Sequence, residues 1–570
     1  MLIKVHSIAF KGVDAIPVEV EVDLRRRSLP SFNIVGLGDK AVSESRERVR
    51  AAVANANPQL KKLFKATVNL APADLPKEGS LYDLPIAIAF VAYQKDLSIP
   101  QDALMLGELS LDGRLRHTKG ALLAAILAKQ KGIKSVFVPY QNAKEASYIS
   151  GVDVYPVESL KALEEHLSGE SEIFPIKPDK SEIPKFLRID GDPANYAQSY
   201  NPGGFDMSEV IGQYQAKRAI EISVAGGHNL LMVGPPGSGK SMMARALRGL
   251  LPPLTEQEAI EVTKILSSTG RIPSGRGIVS QRQYQAPHHT ISYVGLVGGG
   301  IVPQPGDITL AHRGVLFLDE FPEFSKYVME SLRQPMEDGV ITISRGRGNA
   351  TFPAQFILVA ASNPCPCGYY GHPTKECMCT QHQILAYQKK VSGPILDRID
   401  LQIFVKPVPH KQLYASNKPA ESSDVIRQRI IKARQIQLKR YSLARERLRK
   451  VYKTDGEHSL KEENSHAGMP EMSGGVQILT NGQIHNEEVL KFLRVSKSGE
   501  KILQDAVQKF NLSARAYFKL LKVGRTIADL ELAQSGGDLD DVSVDDEIKD
   551  EHILEALQYR DGSVWGAAET

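Results

Sequence analysis

Along the first third of the chain apolar and polar residues alternate in short runs, IKVHSIAF, IPVEVEVDL and ATVNLAP, with the two-residue period of half-buried strands. Between them, DKAVSESRERVRAAVANA and LYDLPIAIAFVAYQ carry apolar residues at helical spacing. The pattern predicts an α+β domain over residues 1–170. Residues 171–205 hold no sustained period and are rich in Pro, Gly and charge, which predicts a linker. Beyond them the runs LLMV, VLFL and FILVAAS are apolar without alternation and read as buried strands, and MMARALRGLL reads as a helix. The expectation is an α/β core over 206–410. The stretch VIRQRIIKARQIQLKRYSLARERLRK has a helical period with a strongly basic side, read as a solvated face. With the apolar periodicity after residue 485 it predicts an α-helical lid over 411–570. A polar, Gly-rich insertion at about 454–476 interrupts that lid, and Asp538 to Glu551 forms an acidic connector.

A chain of 570 residues is long enough for several domains, each with its own core. The net charge of +4 does not announce a nucleic-acid binder, so any basic surface has to be local. The N-terminal MLIKVHSIAFKG lacks the apolar stretch and cleavage site of a leader, and no run reaches about 18 apolar residues. A cytoplasmic protein without a membrane span is expected. Four cysteines in this length exclude a disulfide scaffold.

The chemistry concentrates after Leu230. Gly234-Pro235-Pro236-Gly237-Ser238-Gly239-Lys240-Ser241, followed by Met242, matches G-x-x-x-x-G-K-[ST] between a strand and a helix. That pattern is a phosphate-binding loop. Backbone N–H groups and the helix N-terminus cradle phosphate oxygens, Lys240 reaches the β/γ-phosphates, and Ser241 ligates Mg²⁺, so the cofactors are ATP and Mg²⁺. Downstream, VLFL ends in Asp319-Glu320, one carboxylate for the Mg²⁺ hydration shell and one to act as general base on water. FILVAAS ends at Asn363, a polar group that orients the attacking water or caps a turn before Pro364.

Two insertions carry cations. The segment SSTGRIPSGRGIVSQRQYQAPHHTISYVGLVGGG holds Arg271, Arg276, Arg282, His288 and His289 and no acid, and the hairpin pattern MEDGVITISRGRGNATF holds Arg345 and Arg347. These charges are either solvated on their loops or, where arginines line a channel, track a phosphate backbone without reading sequence; on the second reading the five arginines are the candidate DNA contacts. All four cysteines fall in Cys365-Pro-Cys367…Cys377-Met-Cys379. Four thiolates suit tetrahedral Zn²⁺; His372 or His382 replacing a thiol, or plain reduced thiols, are the alternatives.

Placed in order, these motifs resemble AAA+ ATPases of the magnesium chelatase and MCM-like branch. There the IGQ segment before the loop lies near adenine, and the two insertions face a ring's central channel. GPILDRIDL resembles the stretch that sends an arginine into the neighbouring subunit's nucleotide, here Arg398, which otherwise pairs locally with Asp397 or Asp400. Asn511-Leu-Ser-Ala-Arg515 resembles sensor 2, an arginine that meets the γ-phosphate from the lid, with Arg525 the weaker candidate. Residues 1–170 resemble the proteolytic domain of Lon-type enzymes, whose chemistry needs a Ser activated by a Lys. Aligned with that family, KEGSLYD puts Leu81 at the nucleophile with Ser80 one position off, and alignment leftward from GIKSVFVP puts Leu122 at the base. The resemblance therefore implies a domain without peptidase activity. Over nearly the whole chain the order of modules resembles the YifB/ComM group of magnesium-chelatase-like ATPases. That implies a hexameric ATP-driven motor on DNA, promoting branch migration during homologous recombination and natural transformation, with recombination proteins as further partners. The competing reading is a chelatase-like or chaperone-like motor that remodels a protein.

Overall fold

The computed structural model describes residues 2–25, 31–56, 65–177, 185–193, 196, 205–300, 302–345, 348–408, 420–455, 480–510, 512–537, 539–560 and 565. Arg347, Asn511, Asp538, most of the 171–205 linker's centre and nearly all of the 454–476 insertion lie outside the described residues.

The alternating runs at the start become β1 (Leu2–Lys11), β2 (Asp14–Arg25), β3 (Ser31–Val35) and β4 (Lys65–Ala71), joined by α1 (Lys40–Ala56). After α2 (Asp83–Lys95) come β5 (Ala103–Met105), α3 (Ala121–Lys131), β6 (Ser135–Pro139), β7 (Asp153–Val157) and α4 (Leu160–Ser168). They form one mixed sheet in the order β3-β4-β2-β1-β5-β6-β7. Val18, Val20, Val22 and Leu24 of β2 face one hydrophobic core with the buried residues of α2 and α3. That core is separate from those of the following sheet.

The second sheet is built after α5 (Tyr214–Gly226) from β8 (Leu230–Val233), α6 (Lys240–Ala246), α7 (Glu256–Ser268), β9 (Tyr284–Gln285) and β10 (Val315–Leu318). The antiparallel hairpin β11 (Val340–Arg345) and β12 (Gly348–Pro353) precedes β13 (Ile357–Ser362) and β14 (Leu401–Phe404). All pairings in the order β9-β10-β13-β8-β14 are parallel. Every residue of β8, β10 and β13 is buried, which is why these runs are apolar without alternation: both faces of a parallel sheet are covered. Alternate residues of each strand serve different cores. Leu230, Met232, Val315 and Val359 share one with the lid, whereas Leu231, Val233, Leu316 and Leu358 share the other with Phe352 of the hairpin and Val13 of the first domain.

The lid consists of α8 (Ser423–Asp455), α9 (Lys497–Phe510), α10 (Ala514–Gln534) and α11 (Asp550–Leu557). The basic side of α8, read from sequence as solvated, is largely buried instead. Arg427 donates to Gly249 O at 2.9 Å, Arg434 to Val224 O at 2.8 Å, and Arg440 pairs with buried Asp529 at 2.7 Å. Buried guanidiniums need carbonyl or carboxylate partners, and carbonyls of the core and a carboxylate of α10 supply them. The linker packs on the core and on the lid, with Leu187 N donating to Leu254 O and Gln435 Nε2 of α8 to Arg188 O. Among the described residues no helix is long and apolar enough to cross a membrane.

The first domain docks on the insertions of the core. Gly120 N donates to Ser267 O and Gly275 N to Gln141 O, each at 3.1 Å, and Lys264 pairs with Asp14 at 2.6 Å. Gly12, in the β1–β2 turn, lies against Thr351 and Phe352 of the hairpin.

Candidate functional site

In a parallel sheet ligands bind beyond the carboxyl ends of the strands, where loops leave in different directions. Register aligns three such ends here, with Val233 opposite Ser362 and Leu318 opposite Ala360. The phosphate loop, Asp319-Glu320 and Asn363 therefore leave the sheet side by side. Ser241 Oγ donates to Asp319 Oδ2 at 2.7 Å, so the two oxygen groups that would share Mg²⁺ already meet. Lys240 Nζ donates to Gly234 O at 2.6 Å and Pro235 O at 3.0 Å, with Asn363 Oδ1 at 3.4 Å. Burial of this ammonium pushes Lys240 down to about 8, against the opposing pull of Asp319. Gly239 sits at φ +91, a left-handed conformation that opens the helix for an anion. Met242 is half-buried against the lid-side core.

Glu320 is half exposed and holds φ +52, unusual for a residue with a Cβ and typical of strain kept at working sites. Its Oε2 lies 3.3 Å from His289 Nδ1. Sequence reading placed His289 in the channel insertion, and no one-dimensional signal pairs it with a glutamate across thirty residues. Nor does any local pattern announce a partner for Gln213 of the IGQ segment. Its Nε2 donates to Ser238 O at 3.2 Å and Lys406 O at 2.7 Å, tying the segment to the phosphate loop.

Arg398 and Arg515 stand at the other edge of the sheet. Arg398 precedes β14, its carbonyl accepts from Asn229 Nδ2 at 3.2 Å, and Asn229 precedes β8. A four-residue strand, about 13 Å at 3.3 Å per residue, separates that edge from the phosphate loop. Arg398 and Arg515 converge on one carboxylate, Glu337, with Arg515 Nη2 to Oε1 at 2.7 Å and Arg398 Nη2 to Oε2. Arg398 thus takes neither Asp397 nor Asp400, and Asp400 pairs with Lys519 at 2.9 Å. Arg525 is buried against Asp529 and Asp546 O, a structural position.

The five arginines assigned to DNA separate. Arg271 and Arg276 are exposed, on the loop that touches the first domain. Arg345 ends β11 opposite Gly348, at the tip of the hairpin, and Arg347 lies outside the described residues. Arg282 is a correction. Its side chain is 8% exposed and is bonded to both carboxylate oxygens of Glu258 at 3.0 and 2.8 Å and to the carbonyls of Pro252, Pro253 and Arg313, so its donors are taken up within the fold.

The four thiols do gather. Sγ atoms of Cys365, Cys367 and Cys377 are 3.4 to 3.7 Å apart and Cys379 completes a group within 4.8 Å. Four sulfurs at 2.3 Å from a tetrahedral ion would be about 3.8 Å apart, so the cluster could hold a metal. His372 is turned elsewhere, its Nδ1 accepting from the N–H groups of Thr374 and Lys375.

In the first domain Leu81 and Leu122 are both buried in the core. Ser80 Oγ donates to Glu108, and the buried Lys77 ammonium to Pro72 O. A lysine nevertheless stands at this loop: Lys119, just before α3, has its Nζ 3.7 Å from Glu78 and its Cε beside Gly79.

Strand order and the convergence of loop, carboxylate pair and asparagine define a P-loop protein of the AAA+ class. Family models extend that class over most of the chain: magnesium chelatase subunit ChlI over 206–413, subunit ChlI of Mg-chelatase over 20–142, and the ChlI C-terminal model over 420–560. The competence protein ComM of Haemophilus influenzae is 39% identical over 559 residues, 98% of this chain and 97% of that protein. The uncharacterized protein YifB of Escherichia coli K12 is 38% identical, over 98% and 96%. A shorter match, 25% over 175 residues, reaches the Lon protease of Mycoplasmopsis agalactiae, covering 29% of this chain and 18% of that one. The chain belongs to the YifB/ComM family of magnesium-chelatase-like AAA+ proteins.

Proposed function

We propose that the chain is an ATP hydrolase that assembles into a ring, six-membered by family resemblance, and drives branch migration on DNA during recombination, including that of natural transformation. ATP would sit on residues 234–242, with its phosphates on backbone N–H groups and Lys240. Ser241 and Asp319 would hold Mg²⁺, which would supply positive charge to offset that of the phosphates. Glu320 takes the proton of the attacking water and Asn363 orients that water. The observation that carries the assembly is the placement of Arg398 and Arg515 on Glu337, at the sheet edge remote from the chain's own phosphate loop. Two cations there serve a γ-phosphate only if it belongs to a neighbour, in the manner of an arginine finger supplied in trans.

DNA is favoured over a protein partner by the exposed Arg271 and Arg276 and by the hairpin strand that ends at Arg345, with Arg347 two residues on in the sequence. Zn²⁺ suits the four-thiol knuckle by donor type and number. The first domain is proposed to be a docked module without peptidase activity, because the hydroxyl of its loop is held by Glu108 and Leu81 occupies the nucleophile position. Branch migration of a four-way DNA junction, measured with and without ATP, tests the reading. A wild-type protein whose ATPase ignores DNA and which leaves junctions intact would transfer the reading to a protein-remodelling motor.

A further inference from the structure

The thiol knuckle and the phosphate loop are in contact. Asn363, 3.4 Å from Lys240 Nζ, is followed at once by Pro364 and buried Cys365. The chain then turns back through Gly368, whose Cα is pressed onto the ring of Pro236: a Cβ there would lie 2.6 Å from Pro236 Cδ and 2.8 Å from Cγ. Gly368 also holds φ +82, so the close approach and the turn both require a glycine. On its other side the knuckle is held by Gln388 Nε2, which donates to Pro364 O at 3.2 Å. Cys365 Sγ accepts from Tyr370 N at 3.3 Å, closing the turn around Gly368.

We propose that the four thiolates hold one Zn²⁺ and that the loaded knuckle clamps the phosphate loop, so that zinc and nucleotide binding are coupled. The inference rests on the assignment of residues 234–241 to ATP. Its physical basis is pre-organisation. Without an ion, Cys365–Cys367 and Cys377–Cys379 meet through weak thiol contacts, Cys377 Sγ lying 3.7 Å from Cys365 Sγ and 3.5 Å from Cys367 Sγ, whereas a four-coordinate ion joins the two pairs strongly and fixes Gly368 against Pro236. A loop already held in its binding conformation loses less freedom when ATP arrives. Linkage then demands reciprocity: ATP must tighten zinc by the factor by which zinc tightens ATP.

The test uses the full-length protein and a high-affinity zinc chelator. Metal analysis of protein purified without chelator should find one zinc per chain. Removing it should raise the Kd for a non-hydrolysable ATP analogue about tenfold, within the usual range of coupling between sites. Saturating analogue should raise the chelator concentration needed for half-release by the same factor. Pro236→Ala, which removes the ring atoms under Gly368 and leaves every thiol in place, should keep its zinc and lose the reciprocity. Absence of zinc from the purified protein, or a Kd unchanged by its removal, overturns the clamp. Lys240→Ala separates the two readings: it should lose ATP and keep zinc. A wild-type protein that holds zinc and binds no nucleotide sinks the assignment of the loop instead.

Discussion

Two loops of this chain place a lysine beside a serine at the edge of a sheet, and they have opposite fates. In the core, Lys240 and Ser241 are met by Asp319 and Asn363, which arrive from two other strand ends. In the first domain, Ser80 is bonded to Glu108, Lys77 is turned into the backbone, and Lys119 faces Glu78. A lysine and a hydroxyl do not make a reactive site. What distinguishes the core is convergence: parallel register brings three loops to one point, whereas burial lowers the pKa of Lys240 and of Lys77 alike. In the first domain Leu81, which follows Ser80, is part of the hydrophobic core.

The largest effects should fall on the converging loop. Lys240→Ala is expected to lose nucleotide binding. Glu320→Gln should keep it and turn over about 10²- to 10⁴-fold more slowly, the range for losing a general base. Wild-type turnover in Glu320→Gln, read by phosphate release, would remove the distinction between the two loops.

Next come the arginines at the far edge. Arg398→Ala and Arg515→Ala should each lower kcat, by up to about 10³-fold for a finger acting in trans. Mixing Arg398→Ala with Lys240→Ala subunits should restore part of the ATPase, because some interfaces then carry an intact loop facing an intact finger. Mixtures no more active than their components, despite demonstrated co-assembly, would return Arg398 to a purely local role on Glu337.

Lys240 also predicts a pH dependence. In the free loop burial favours the neutral amine, with a pKa of about 8, whereas a bound triphosphate favours the ammonium. Binding therefore takes up a proton above about pH 8, and ATP affinity should fall as pH rises, by at most about tenfold per unit. Calorimetry in buffers of different ionisation enthalpy measures that uptake, and Lys240→Arg should abolish it. Uptake that begins only near the pH of an ordinary lysine would show that burial does not tune this loop.

Neutralising Arg345 and Arg347 should flatten the slope of log K for DNA against log salt by about 0.7 to 0.9 per lost phosphate contact, with basal ATPase kept. Arg282→Ala should instead lower thermal stability, since it leaves buried Glu258 without its partner. The smallest effect belongs to the first domain's loop, where Ser80→Ala should leave ATPase unchanged and casein intact, as in the wild type. Casein cleavage by the wild type that Ser80→Ala abolishes would put the two loops on an equal footing.

The sequence by itself determined what is local. Strand, loop and helix around Lys240 are contiguous, β8, β10 and β13 announce burial by unbroken apolar runs, and the four cysteines sit in fifteen residues. Each is set by neighbours in the chain, so periodicity and spacing record it. Tertiary structure alone decided which side of a helix an arginine serves and which carboxylate a cation finds. The basic side of α8 turned inward because carbonyls of Gly249 and Val224 and the carboxylate of Asp529 come from elements far away in sequence. Arg282 closed on Glu258, Arg398 and Arg515 shared Glu337, and His289 reached Glu320 for the same reason. An exposed arginine and a buried, paired one are identical letters, and only packing across dozens to hundreds of residues chooses between solvent and a partner.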